Sequence, residues 1–274
     1  MLKRILLSIG CLVLTTIGIY LFFLADASVH ISKKAEQVSL LKIPDSPVRT
    51  GSINNPKYDG LQCSLDENGT LTCWITEDMI ENWIIHGADA ARAAVFISPT
   101  ELSTNVADVA IGRSHLLFLT VEGTVWTFGE NFDGQIGNGT IGAWNWVTKA
   151  TLEPLDTTNN YALEPIQLSL PPCVAISTGN SVCAALTVKG EVYTWGDNSC
   201  GQIGNGERGN EFPTMSNLIM LEPYLVMTGI NKISFNEDHE CFVAFAPDQT
   251  VYTWGGDGPN TPAILVEKLG KQEE

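Results

Sequence analysis

Apolar residues in this chain come in short runs that alternate with polar ones and break at small polar turns. The clearest stretch is Gly112-Arg113-Ser114-His115-Leu116-Leu117-Phe118-Leu119-Thr120-Val121-Glu122-Gly123-Thr124-Val125-Trp126-Thr127-Phe128-Gly129. The same sentence recurs as Val182-Cys183-Ala184-Ala185-Leu186-Thr187-Val188-Lys189-Gly190-Glu191-Val192-Tyr193-Thr194-Trp195-Gly196, and again from Cys241 to Gly255, ending Val251-Tyr252-Thr253-Trp254-Gly255. Alternation sends side chains to opposite faces of an extended strand, and aromatic and β-branched residues suit such a pleat. Each copy therefore predicts a strand, a tight turn and a strand ending in aromatic-Thr-aromatic-Gly. Equivalent turn positions are Gly123, Gly190 and Gln249, spaced by 67 and then 59 residues. An earlier copy runs from Gln62 to Trp74, where aligning Gly69 with Gly190 also aligns Trp74 with Trp195. Alternation fails from Glu77 to Arg92, which predicts a short helix or an irregular insertion. A hairpin cannot bury its own faces, so repeated hairpins must stack into a radial or solenoid array of small antiparallel sheets.

Two of the hairpins are followed by a second signature, Asn131-Phe132-Asp133-Gly134-Gln135-Ile136-Gly137-Asn138-Gly139 and Asn198-Ser199-Cys200-Gly201-Gln202-Ile203-Gly204-Asn205-Gly206. Together with the aromatic-Thr-aromatic-Gly ending, this tail resembles the repeat of the regulator of chromosome condensation family, over roughly residues 58–270. The resemblance implies an all-β fold, a β-propeller-like array of about four antiparallel blades. Propellers of this family usually close with about seven blades, so the expectation is a small ring, an open arc, or a ring completed by self-association. The Gly-Gln-Ile-Gly-Asn-Gly tail is read as scaffold, its glycines allowing close backbone approach where one blade meets the next. Its order, G-x-x-G-x-G, and the lack of a following helix argue against a dinucleotide site.

The segment Ile5 to Ala25 holds 21 residues without a charge behind Lys3 and Arg4. It predicts one N-terminal hydrophobic helix. Residues 1–27 are then either an uncleaved signal anchor or a signal peptide cut after Ala27. Both readings place the remainder outside the cytoplasm, periplasmic or secreted, as in a bacterial protein of the exported type. Residues 28–57 read as a linker or a strand padding the first blade, 58–270 as the repeat domain and 271–274 as a tail. Leu152 to Pro172 reads as a long insertion between blades.

Seven cysteines occur, and Cys11 lies within the apolar segment. If Glu67-Asn68-Gly69 is a three-residue loop, Cys63 lies opposite Cys73, close enough for a disulfide; the alternative is two buried thiols. The Cys-x9-Cys-Trp motif also resembles one in secreted repeats of the family. Cys173 and Cys183 have the same spacing and, with a turn centred on Thr178, would face each other as a second bridge. Cys200 and Cys241 stay unassigned. No C-x-x-C or Cys/His ligand spacing appears, so no metal or other cofactor is expected.

The net charge of −16 leaves too few basic residues for a phosphate-binding stripe, which excludes nucleic acid as a partner and fits a basic protein. Candidate chemistry is sparse. The histidines are His30, His86, His115 and His239; the family resemblance implies a structural role for His115, and less securely for His239. No nucleophile or metalloenzyme motif is present, so a non-enzymatic role in protein–protein contact is expected. Trp144 and Trp146, in a loop context, are candidate partner-binding residues, with burial under the neighbouring insertion as the alternative. The resemblance also raises two other roles: a guanine-nucleotide exchange effector acting on a Ran-like GTPase, and a secreted enzyme inhibitor.

Overall fold

A computed structural model describes residues 51–55, 58–142, 158–207, 219–256 and 264–268. The hydrophobic segment Ile5 to Ala25, the tryptophans Trp144 and Trp146, and the tail 271–274 lie outside these residues. No helix among the described residues is long and apolar enough to cross a membrane.

The described residues form four antiparallel four-stranded sheets, each made of strands consecutive in sequence. Blade 1 holds β1 (Gly51–Asn55), β2 (Tyr58–Leu65), β3 (Leu71–Ile75) and β4 (Thr100–Ser103). Blade 2 holds β5 (Val106–Ile111), β6 (His115–Thr120), β7 (Val125–Glu130) and β8 (Tyr161–Gln167). Blade 3 holds β9 (Cys173–Thr178), β10 (Val182–Thr187), β11 (Val192–Asp197) and β12 (Ile219–Met227). Blade 4 holds β13 (Lys232–Asn236), β14 (Cys241–Phe245), β15 (Thr250–Gly255) and β16 (Ile264–Lys268). This is the expected blade array. Two details sharpen the sequence reading. The segment before Tyr58 supplies β1, so the padding-strand alternative holds at Gly51–Asn55. The supposed insertion before Pro172 supplies the fourth strand of blade 2, β8, paired with β7.

Between β3 and β4 the chain forms α1 (Glu77–Ile85), α2 (Ala90–Ala93) and a 3₁₀ turn (Ala94–Ile97). Glu77 and Asp78 sit in the first turn of α1, where negative charge opposes the helix dipole. Asp89 caps α2, its carboxylate accepting from the Arg92 amide at 2.9 Å, and so satisfies one orphan amide.

Successive blades stack face to face: β5 on β1 and β2, β9 on β5 and β6, and β13 on β9 and β10. The core therefore lies between blades, in separate layers. Leu116, Phe118 and Phe128 join the layer shared with blade 1, whereas Leu117 and Leu119 face blade 3. Val182, Leu186, Phe242 and Trp254 fill the layer between blades 3 and 4. This double cover explains why every residue of β6 and of β10 is buried. Each fully buried Leu or Phe contributes about 1.5–3 kcal/mol.

Polar contacts register each blade on the next. The turn glycines Gly69, Gly123 and Gly190 adopt φ of 78°, 83° and 78°. Their carbonyls accept the amides of Val106 at 2.9 Å, Cys173 at 2.8 Å and Ile230 at 3.0 Å, each at or beside the first strand of the following blade. A Cβ at Gly190 would lie 2.8 Å from the Ile230 carbonyl oxygen. The equivalent position in blade 4 is Gln249, with φ of 67° and an exposed side chain. Among the described residues no following blade crowds it.

The tails complete the register. In blade 2, Thr127 Oγ1 donates to the Ile136 carbonyl at 2.9 Å, and in blade 3 Thr194 Oγ1 donates to that of Ile203 at 2.7 Å. Each tail then receives the next blade: the Trp195 indole N–H donates to Gln135 O at 3.0 Å, and that of Trp254 to Gln202 O at 2.9 Å. Blade 1 has no such tail. Its helical insertion places Trp83 against Phe128, with centroids 6.3 Å apart, and against Tyr161, at 5.0 Å. Phe128 occupies the position of Trp195 and Trp254 and carries no N–H to satisfy, which matches the apolar neighbour it meets.

A candidate interaction site at the tail end of blades 2 and 3

The same repeat that builds the blades brings carboxylates together where β7 and β11 run into their tails. Glu130 and Asp197 follow the strand-ending glycines, Gly129 and Gly196. Their amides donate to the Ser114 and Ser181 carbonyls at 2.9 Å and 3.0 Å. The tail glutamines face them: Gln135 Nε2 lies 3.4 Å from Glu130 Oε1, and Gln202 Nε2 donates to Asp197 Oδ2 at 3.0 Å. Gln135 Oε1 also accepts the Asp133 amide at 2.8 Å, which brings a third carboxylate to this end.

Glu130, Asp133 and Asp197 are half-buried. Burial, aided by the charge on Asp133, pushes the Glu130 carboxyl up to about 7. Burial also raises Asp133, opposed by a hydrogen bond with Ser181 and reinforced by the Asp197 charge. Arg113, whose side chain is exposed, acts on both Glu130 and Asp133 without cancelling the rise. The Tyr161 hydroxyl is buried beside Glu130 and has no hydrogen-bond partner among the described residues. The arrangement is a short arc of three carboxylates, two of them raised by burial, suited to the positive N–H groups of a lysine or arginine.

The one Cys/His pairing in this region has no catalytic geometry. His115 Nε2 lies 2.8 Å from Thr178 Oγ1 and 3.2 Å from Cys183 Sγ. Thr178 Oγ1 donates to the Val182 carbonyl at 2.8 Å, so it accepts from the Nε2 proton and leaves Nδ1 bare and buried. Both His115 and Cys183 are 0% exposed. Burial lowers the imidazole to about 3 and raises the thiol, so the pair is neutral and lacks the thiolate a nucleophile needs. His115 is the structural residue expected, although it holds the next blade through a threonine hydroxyl. His239 is exposed on the turn before β14.

The cysteine expectations divide. The blade 1 turn forms as counted: the Asp66 amide donates to Thr70 O at 3.1 Å, and Cys63 is the register partner of Cys73. Both are buried, with sulfurs 2.6 Å apart. The Cys173–Cys183 pairing is corrected. The turn between β9 and β10 centres on Asn180 rather than Thr178, so Cys183 faces Thr178 and Cys173 faces Thr187 beyond a bulge. Cys173 Sγ donates instead to the Pro171 carbonyl at 3.1 Å. Cys200 is a free thiol. Among the described residues no cluster of His, Cys, Asp or Glu could hold a metal ion. The arc of Glu130, Asp133, Asp197 and Tyr161 was missed at the sequence level; its one signal is the acidic residue between the strand-ending glycine and the tail asparagine.

Two family profiles described as the regulator of chromosome condensation (RCC1) repeat match, one over residues 106–135 and 173–202, the other over 189–231. Mouse HERC2, an E3 ubiquitin-protein ligase, is 26% identical over 250 residues, spanning 84% of this chain and 5% of its own. SRM1 of Saccharomyces cerevisiae, a guanine nucleotide exchange factor, is 27% identical over 151 residues, spanning 54% of this chain and 28% of its own. The crystal structure of Prp20p from Saccharomyces cerevisiae, described with its binding properties to Gsp1p and histones, superposes with a TM-score of 0.55 at 17% identity, over 78% of this chain and 50% of that one. This chain thus spans half or less of the length of each. The hairpins, the tails that close on the following blade and these likenesses converge: residues 106–135 and 173–231 carry regulator of chromosome condensation repeats, and the four sheets fold as β-propeller blades.

Proposed function

We propose that the chain is a protein-interaction module and that the carboxylate arc at Glu130, Asp133 and Asp197 receives a basic segment of its partner. The observation that carries this reading is the half-buried acidic arc with the unpartnered Tyr161 hydroxyl beside it. An incoming guanidinium or ammonium adds a positive charge and further donors to this cluster of carboxylates, and the net charge of −16 steers it there. The test is calorimetric titration of the chain with an arginine-rich peptide and a neutral control, repeated with the Glu130→Gln/Asp133→Asn/Asp197→Asn variant. Binding should weaken with salt and fall at least about tenfold in the variant. Equal binding by both chains would reduce the effect to bulk charge and refute the site.

A second reading, guanine-nucleotide exchange on a Ran-type GTPase, is supported by the likeness to SRM1. Release of a fluorescent nucleotide from such a GTPase at the uncatalysed rate in the presence of the chain rules it out. The uncharged run Ile5 to Ala25 behind Lys3 and Arg4 supports a location outside the cytoplasm, anchored or secreted. Protease accessibility in intact cells tests it, and protection of the blades overturns it.

A further inference from the structure

The blade register makes Cys63 and Cys73 the counterparts of a pair that the other blades fill differently. Opposed residues at this position are Leu117 and Thr127 in blade 2, Ala184 and Thr194 in blade 3, and Val243 and Thr253 in blade 4. In blades 2 and 3 the threonine is tied to its own tail through the Ile136 and Ile203 carbonyls. Blade 1 has a helical insertion where those blades have a tail, so that tie has no acceptor. Its two sulfurs instead face each other across directly opposed strand positions, 0% exposed and 2.6 Å apart.

We propose that Cys63 and Cys73 form a disulfide that closes blade 1 in place of the threonine-to-tail tie. Directly opposed residues on antiparallel strands bring Cβ atoms into the range a disulfide spans. The reaction runs through a small-molecule disulfide such as oxidised glutathione, before the blade buries the pair. One cysteine thiolate attacks its S–S bond, releases one reduced glutathione and forms a mixed disulfide. The second thiolate displaces the other glutathione. Two protein thiols lose two protons and two electrons, and one oxidised glutathione becomes two reduced molecules. Once the blade has closed, burial of both residues shields the bond from exchange. The inference concerns the stability of blade 1 and does not depend on the partner reading.

The test uses the full chain, refolded in a glutathione buffer rich in the oxidised form, then denatured without reductant and alkylated. Peptide mapping should recover the Cys63 and Cys73 peptides joined and two hydrogens lighter, with the remaining cysteines alkylated. Alkylation of both Cys63 and Cys73 in that sample overturns the proposal. A Cys63→Ala/Cys73→Thr variant, which installs the blade 3 pair, gives a second readout. Reductant should lower the melting temperature of the native chain by several degrees, on the order of 5 °C, and leave that of the variant unchanged. An equal response of both chains overturns the proposal. Should the variant not fold, the alkylation pattern of the native chain decides alone.

Discussion

Replacing Thr194 or Thr253 by valine should move stability in opposite directions. The two residues are equivalent in the repeat, share the shape of valine and are both 0% exposed. Thr194 Oγ1 donates to the Ile203 carbonyl at 2.7 Å. Its removal deprives a buried carbonyl of that donor, which costs about 1–3 kcal/mol. Thr253 Oγ1 has no partner among the described residues, because blade 4 lacks the Gly-Gln-Ile-Gly-Asn-Gly tail. A buried hydroxyl without a hydrogen bond costs about 1–3 kcal/mol, and valine removes that cost. The two variants should therefore differ by roughly 2–6 kcal/mol, a spread of about 4–24 °C in melting temperature for a domain of this size. Chemical denaturation of each variant beside the native chain measures the difference. A Thr253→Val change that destabilises as much as Thr194→Val would show that the fourth hydroxyl has a partner after all, and the account of the tail would fall.

Three further expectations follow from the register between blades. Gly190→Ala should cost at least about 1–2 kcal/mol from its positive φ alone, with more from the Ile230 carbonyl 2.8 Å from the new Cβ; Gln249→Gly should be neutral or stabilising, and urea midpoints compare the two. Trp254→Phe, which removes the donor to Gln202 O, should cost about 1 kcal/mol, read by thermal unfolding. His115, lowered by burial from 6.5 to about 3, contributes stability that is complete above its unfolded value and lost as pH falls from 6.5 toward 3. At about pH 5.5 the loss is roughly 1.4 kcal/mol. Denaturation midpoints across that range should fall for the native chain and flatten for His115→Gln.

The hairpins, their number and the loop around Gly69 were legible because period-2 alternation and a turn glycine are local signals. So was the opposition of Cys63 and Cys73, which needs only the length of one loop. Cys173 and Cys183 were misread because a loop centre displaced to Asn180 and a bulge at Thr187 change the register without changing the spacing. Strand β8 was hidden by Pro165 within a polar stretch; as a last strand it tolerates the proline. The carboxylate arc could not be read, because Glu130, Asp133 and Asp197 meet only when two blades stack. Likewise, the exchange of Trp for Phe128 became meaningful only once Trp83 was seen filling the place of a tail carbonyl.

In the first three blades a turn glycine offers its carbonyl to the successor, and blade 4 has lost both that glycine and the tail. The fourth unit in the string thus lacks, at Gln249, the glycine its predecessors use. Growing it by one more module would call for restoring a glycine there, supplying a Gly-Gln-Ile-Gly segment after Gly255, and leaving the preceding units untouched.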